Sequence, residues 1–169
     1  IDYRGYGKSE GRSSEAGMYR DAEAAYNFFI KESGLDETAL IVYGESLGGV
    51  AAIDLASRHP SAALIADSTF SSARDMARKI LPIVPSFMIS LRLDSVSKIG
   101  QVRAPKLFIH SPYDEIVPFR LAKKLYNAAS DPKEFLKIDG DHNAGYSLDY
   151  QTYHDGIAAF LRKYGLINN

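Results

Sequence analysis

The stretch Ala39-Leu40-Ile41-Val42-Tyr43-Gly44-Glu45-Ser46-Leu47-Gly48-Gly49 decides the fold. Its first five residues are continuously apolar, the pattern of a strand covered on both faces in a parallel sheet. Gly44 to Gly49 breaks that run, and Val50 to Arg58 then has helical composition and stops before Pro60. Strand, glycine turn and helix therefore follow one another directly. Working outward, Ala62–Ala66, Lys106–His110 (introduced by Pro105) and Lys133–Ile138 read as three further strands. Ser14 is an N-cap candidate with Glu15 in the first turn. Met18, Ala22, Ala25, Tyr26, Phe29 and Ile30 recur at helical spacing up to a stop at Gly34. Phe119–Ala129 is helical, and Tyr153, Ile157, Phe160, Leu161 and Tyr164 mark a closing amphipathic helix. Residues 70–100 are apolar but interrupted by Pro82 and Pro85, so two short helices with a bend are expected there. Strands alternating with helices give an α/β chain with a mainly parallel sheet flanked by helices.

Composition sets the bounds. At 169 residues one domain fits. Hydrophobic residues at 46% and charged residues at 24% are ordinary for a globular chain and exclude a disordered one. Twenty basic against 21 acidic residues leave a net charge of −1, which gives no nucleic-acid footprint and no polybasic membrane patch. Without Cys there is no thiol nucleophile and no Cys-ligated metal. No apolar run approaches the roughly 18 residues that span a bilayer. The chain opens on Ile1-Asp2-Tyr3-Arg4-Gly5-Tyr6-Gly7 without an initiator Met, like the end of a strand running into a glycine loop. It reads as the C-terminal part of a longer chain, and any membrane anchor is expected only upstream of Ile1.

Gly44-Glu45-Ser46-Leu47-Gly48 is a G-x-S-x-G pentapeptide between strand and helix, the context a nucleophile elbow requires. The turn is tight, so the residues two before and two after the Ser are expected to be small. The hydroxyl then stands at the carboxyl end of the sheet and at a helix N-terminus, where the N–H of Leu47 can donate to an oxyanion. A serine hydroxyl needs a base, and the base an orienting acid. Two later strands end in suitable residues: Lys106–His110 runs into Ser111-Pro112-Tyr113-Asp114-Glu115, and Lys133–Ile138 into Asp139-Gly140-Asp141-His142-Asn143. The assignment is Ser46 as nucleophile, His142 as base then acid, and Asp114 as orienting carboxylate. Glu115 and Asp67 are alternative acids. His59 and His154 fall on helices as surface or packing residues, and His110 packs beneath the acid. Asp139, Asp141 and His142 lack a second His at ligand spacing, so no metal is expected.

Asp2 to Ser9, the Gly44–Gly49 turn, Asp114-Glu115-Ile116-Val117-Pro118 and Gly140-Asp141-His142-Asn143 together resemble the α/β-hydrolase superfamily. More closely they resemble small serine hydrolases of the ABHD type, related to the prolyl-oligopeptidase-like group. The resemblance implies the same Ser46, Asp114 and His142 and no cofactor. It also implies an α/β-hydrolase fold lacking its N-terminal strands: Ile1–Tyr3 becomes the tail of strand 4, and the four later strands become strands 5 to 8. Strand 3 and the loop after it, which supplies a second oxyanion donor, are then missing. One such donor is worth roughly 10²–10³ in rate, so residues 1–169 alone are expected to fold poorly or act weakly, with an unpaired edge on strand 5.

Residues 70–100 stand where superfamily members place a cap, and here it is small. Phe70, Leu81, Phe87 and Met88 are candidate substrate-binding residues. The expected partner is a small-molecule acyl substrate: an ester, thioester or amide. A peptidase of the prolyl-oligopeptidase type and a non-catalytic scaffold are the competing readings.

Overall fold

The computed structural model describes residues 1–34, 36–80 and 91–168. Its first helix, α1 (Glu15–Ser33), begins where the cap chemistry places it. Ser14 is extended and its Oγ accepts from the N–H of Gly17 at 3.1 Å. Gly34 ends the helix at φ 62°, a conformation glycine takes without steric penalty, and its N–H donates to Ile30.

Four strands follow: β1 (Ile41–Glu45), β2 (Ala63–Asp67), β3 (Lys106–His110) and β4 (Lys133–Lys137). They form one parallel sheet in sequence order, with Glu45 opposite Asp67 and Asp67 opposite Ile109. The chain crosses over through α2 (Leu47–Arg58), α3 (Ala73–Ile80) and α4 (Phe119–Ala128), and closes with α5 (Gly145–Leu148) and α6 (Tyr150–Lys163).

The period of two along β2 sorts the core. Leu64 and Ala66 face α2 and α4, packing with Ile53, Phe108 and Leu125. Ala63 and Ile65 face α6, packing with Leu107, Ile109 and Phe160. A third cluster joins α1 to α2 and α4 through Met18, Ala22, Val50, Ala51, Phe70, Val117 and Leu121. Every residue of β2 and β3 is buried, the pattern of central parallel strands. The outer side of β1 carries no strand among the described residues, and Ile41 and Tyr43 are exposed there.

Several boundaries differ from the sequence reading. The first strand starts at Ile41, because Glu37–Ala39 form a 3₁₀ turn capped by Asp36, whose Oδ1 accepts from Thr38 N–H at 2.8 Å. Helix α2 starts three residues early, at Leu47, because the chain turns in the single residue Ser46. Ile1–Tyr3 is not a strand: among the described residues it has no neighbour to pair with, and the carbonyl of Tyr3 instead closes a turn with Tyr6 N–H. Of the 70–100 segment, the described part contains α3 and a 3₁₀ turn at Ile99–Gln101. No described helix is long and apolar enough to cross a membrane.

Candidate active site

Parallel strands deliver their C-terminal ends, and the loops after them, to one rim of the sheet. Ser46 leaves β1 there at φ 49° and ψ −115°, outside the regions L residues favour, a strain of about 1–3 kcal/mol. Three hydrogen bonds hold it. Its N–H donates to the Asp67 carbonyl at 2.8 Å, and its own carbonyl accepts from Gly49 N–H at 3.1 Å and from Thr69 Oγ1 at 2.7 Å. Tightness falls on Gly44 as expected but not on Gly48. A Cβ on Gly44 would lie 2.3 Å from the Gly48 carbonyl oxygen, yet one on Gly48 would meet no described atom. The second crowded position is Gly49, where a Cβ would come within 2.6 Å of Thr69. The helix turns Gly49, not Gly48, toward the end of β2.

The loops after β3 and β4 bring the other two candidates to the same point. His142 Nε2 is 3.0 Å from Ser46 Oγ, and His142 Nδ1 is 2.7 Å from Asp114 Oδ2. The imidazole and the carboxylate are both buried. Asp114 is fixed by its other oxygen, which accepts from the N–H groups of Ile116 (2.9 Å) and Val117 (2.7 Å). Ser111 Oγ donates to the Gly140 carbonyl at 2.5 Å and so ties the two loops together. Glu115, weighed as an alternative acid, accepts from the backbone N–H of His142 at 3.1 Å and does not touch the ring nitrogens. Asp141 folds the turn by accepting from Asn143 and Ala144 N–H. A serine oxygen, an imidazole bridging by both nitrogens and a buried carboxylate form the arrangement in which the hydroxyl proton can pass to nitrogen as the oxygen attacks.

Asp67, the other alternative acid, serves a separate cluster. Its Oδ2 accepts from Tyr43 Oη (3.0 Å) and Tyr153 Oη (2.7 Å), and its Oδ1 from Ser68 Oγ (2.9 Å). Burial and the nearby charge of Asp67 push both phenols well above their ordinary value. Partial burial, then Asp67, likewise push the Glu45 carboxyl up, against the opposing pull of His142. His110 is fully buried, with Nε2 2.9 Å from the Val117 carbonyl and 3.5 Å from Asp114. Burial pushes its pKa below the ordinary histidine value, although Val117, Asp114 and Asp67 pull the other way. His59 caps α2 and pairs with Glu23 at 2.9 Å, and His154 lies against Tyr150 on α6. No group of acidic and histidine side chains suited to a metal ion occurs among the described residues.

Leu47 opens α2, so its N–H has no partner within the helix. Of the candidate substrate-binding residues, Phe70 is buried in the core cluster between α1, α2 and α4, and Leu81, Phe87 and Met88 lie outside the described residues. A different set of apolar side chains flanks the elbow. A cavity of about 210 Å³ is lined by Tyr3, Met18, Leu47, Leu91 and Leu93 together with the polar Arg4, Ser13, Ser14 and Glu15. Glu15 holds that wall, accepting from the N–H groups of Arg92 (2.8 Å) and Leu93 (2.9 Å), and Leu93 sits at φ 41°. From sequence Glu15 is legible only as a first-turn acid on α1, because its partners lie more than 75 residues away.

The profile of the family described as "Serine aminopeptidase, S33" matches residues 1–99, more than half of the chain. The protein belongs to this family of α/β hydrolases. Among curated relatives, this S33-family chain is 37% identical over 163 residues to the Mycobacterium tuberculosis protein Rv2307c, a match covering 95% of this chain and 58% of that protein. It is 34% identical over 160 residues to the α/β-hydrolase domain-containing protein 17B of Xenopus laevis, covering 95% of this chain and 54% of the relative. The chain thus spans little more than half the length of these relatives. An esterase from Pyrococcus furiosus has the same fold, with a TM-score of 0.77 at 18% identity, over 96% of this chain and 68% of that one.

Proposed function

We propose that this S33-family protein is a serine hydrolase that cleaves a carboxylic ester or related acyl bond through an acyl-enzyme. The observation that carries the reading is the continuous path from Ser46 Oγ through the His142 ring to Asp114, with links of 3.0 and 2.7 Å. Ser46 Oγ attacks the substrate carbonyl while His142 Nε2 takes its proton. The tetrahedral oxygen is received by Leu47 N–H at the positive end of α2. His142 then gives the proton to the leaving group, and a water attacks the acyl-enzyme by the same route in reverse. Asp114 holds the imidazole in register and stabilises its charged form.

The cavity beside Leu47 supports a small acyl group. Its volume of about 210 Å³ is below the roughly 300–1,000 Å³ of sites that enclose drug-sized ligands. The test is turnover of p-nitrophenyl esters from acetate to decanoate by the full-length protein and its Ser46→Ala variant. The reading expects Ser46-dependent hydrolysis with the highest kcat/KM at short chains, and equal turnover by the variant would refute it. The family description favours one second reading, an aminopeptidase. Glu45, beside the proposed nucleophile and partly accessible, is an acidic side chain available to meet a substrate ammonium. Faster cleavage of aminoacyl p-nitroanilides than of esters, abolished by Glu45→Gln, would favour it.

A further inference from the structure

Two neighbouring strands leave the sheet in the same unusual way. β1 ends at Glu45 and β2 at Asp67, which are register partners, and the next residue of each is a serine with positive φ: Ser46 at 49° and Ser68 at 45°. The second turn braces the first. Ser68 N–H continues the ladder by donating to the Ile109 carbonyl at 2.9 Å, and this fixes where Thr69 stands. Thr69 is buried, with its Oγ1 donating to the Ser46 carbonyl at 2.7 Å and its Cβ against the space that a side chain on Gly49 would need. Ser46 is thereby held at both peptide groups by the end of β2, through the Asp67 carbonyl on one side and the Thr69 hydroxyl on the other.

We propose that Thr69 is a positioning residue for the nucleophile: its hydroxyl, by binding the Ser46 carbonyl, keeps the strained elbow in the one backbone conformation that aims Oγ at His142. This rests on Ser46 being the nucleophile. The physical case is that a residue at φ 49° and ψ −115° lies outside the regions L residues favour, so rotation of its flanking peptides relieves strain unless the surrounding structure holds them. The carbonyl is the peptide group that such a rotation would move, and Thr69 is the side chain that binds it. A displacement of about 1 Å in a reacting group is enough to lose roughly 10²-fold in rate.

Thr69→Val is close in shape, keeps the packing against Gly49 and removes only the hydroxyl. In the full-length protein we expect kcat for p-nitrophenyl butyrate to fall by about 10- to 100-fold with KM within threefold. A small fluorophosphonate should still label Ser46 to one equivalent, but with a rate constant reduced in parallel. Full stoichiometry at a reduced rate separates misaimed nucleophile from unfolded protein. Thr69→Ser, which restores the hydroxyl, should recover wild-type kcat to within about threefold. If Thr69→Val does not fold, Thr69→Ser and Thr69→Ala decide the matter, because both lack the methyl and differ only in the hydroxyl; the Ser form should turn over at least tenfold faster. Equal kcat in that pair, or wild-type kcat in Thr69→Val, overturns the proposal while leaving Ser46 as nucleophile intact. Wild-type protein that neither labels nor hydrolyses would overturn both together.

Discussion

Two serine–carboxylate clusters stand side by side on the rim of this sheet, and only one has an imidazole between its members. Ser46 and Ser68 follow register-paired residues, share a positive φ and lie near a buried aspartate. Ser68 donates straight to Asp67, whose other oxygen is taken by two tyrosines. Ser46 instead meets His142, and His142 meets Asp114. Ser46 also opens directly into the twelve-residue helix α2, whereas Ser68 is followed by a loop of four residues before α3. On the proposed reading, strain and a neighbouring carboxylate therefore do not suffice to make a nucleophile. A base within reach of the hydroxyl and a helix N-terminus facing the developing charge distinguish the two sites.

Substitutions that exchange or remove these differences should separate the clusters, in descending size. His142→Ala should lower ester turnover by about 10⁶, as loss of the base is nearly as damaging as loss of the nucleophile. Asp114→Asn should cost about 10⁴ in kcat, whereas Asp67→Asn should stay within tenfold of wild type. Steady-state kinetics on the pair reads this directly, and the reverse ranking would move the acid to Asp67. Asp67→Asn should instead show itself in stability, by about 1–3 kcal/mol in urea unfolding, because it leaves buried hydroxyls poorly matched.

His110 is buried beside Asp114 and provides a pH test. Its folded-state pKa is below the ordinary value of about 6.5. A depressed pKa means that the unfolded chain binds the proton more readily. The stabilising contribution is therefore full above about pH 6.5 and is lost as pH falls toward the folded-state pKa. The melting temperature should drop as pH goes from 7 to 5, and His110→Gln should flatten that slope. The smallest effect is expected of Ser68→Ala, about 1 kcal/mol for one hydrogen bond, with turnover within twofold.

The geometry of the candidate site was legible in the sequence to the extent that it is local. Ser46, Asp114 and His142 each sit within a few residues of a strand end, and a parallel sheet sends all such ends to one rim. The Ser14 cap and the Gly34 stop were legible for the same reason. What escaped was written in pairs far apart in the chain. Tyr153 read as one more apolar position on the closing helix, yet its hydroxyl reaches Asp67, 86 residues earlier. Thr69 carried no signal, because its hydrogen bond to Ser46 depends on the register between β1 and β2 rather than on any motif. The glycine pattern misled by one residue, since the crowding at Gly49 comes from Thr69 in the loop after β2. The turn at Glu37–Ala39 took two residues from the first strand, because Asp36 offered the backbone a local hydrogen bond that an apolar run does not reveal.

The most direct test of the central claim is to treat the full-length protein with a fluorophosphonate and locate the adduct by peptide mass spectrometry. The account predicts one adduct, on Ser46, formed slowly in His142→Ala and absent from Ser46→Ala. An adduct on Ser68, or undiminished labelling in Ser46→Ala, would contradict it.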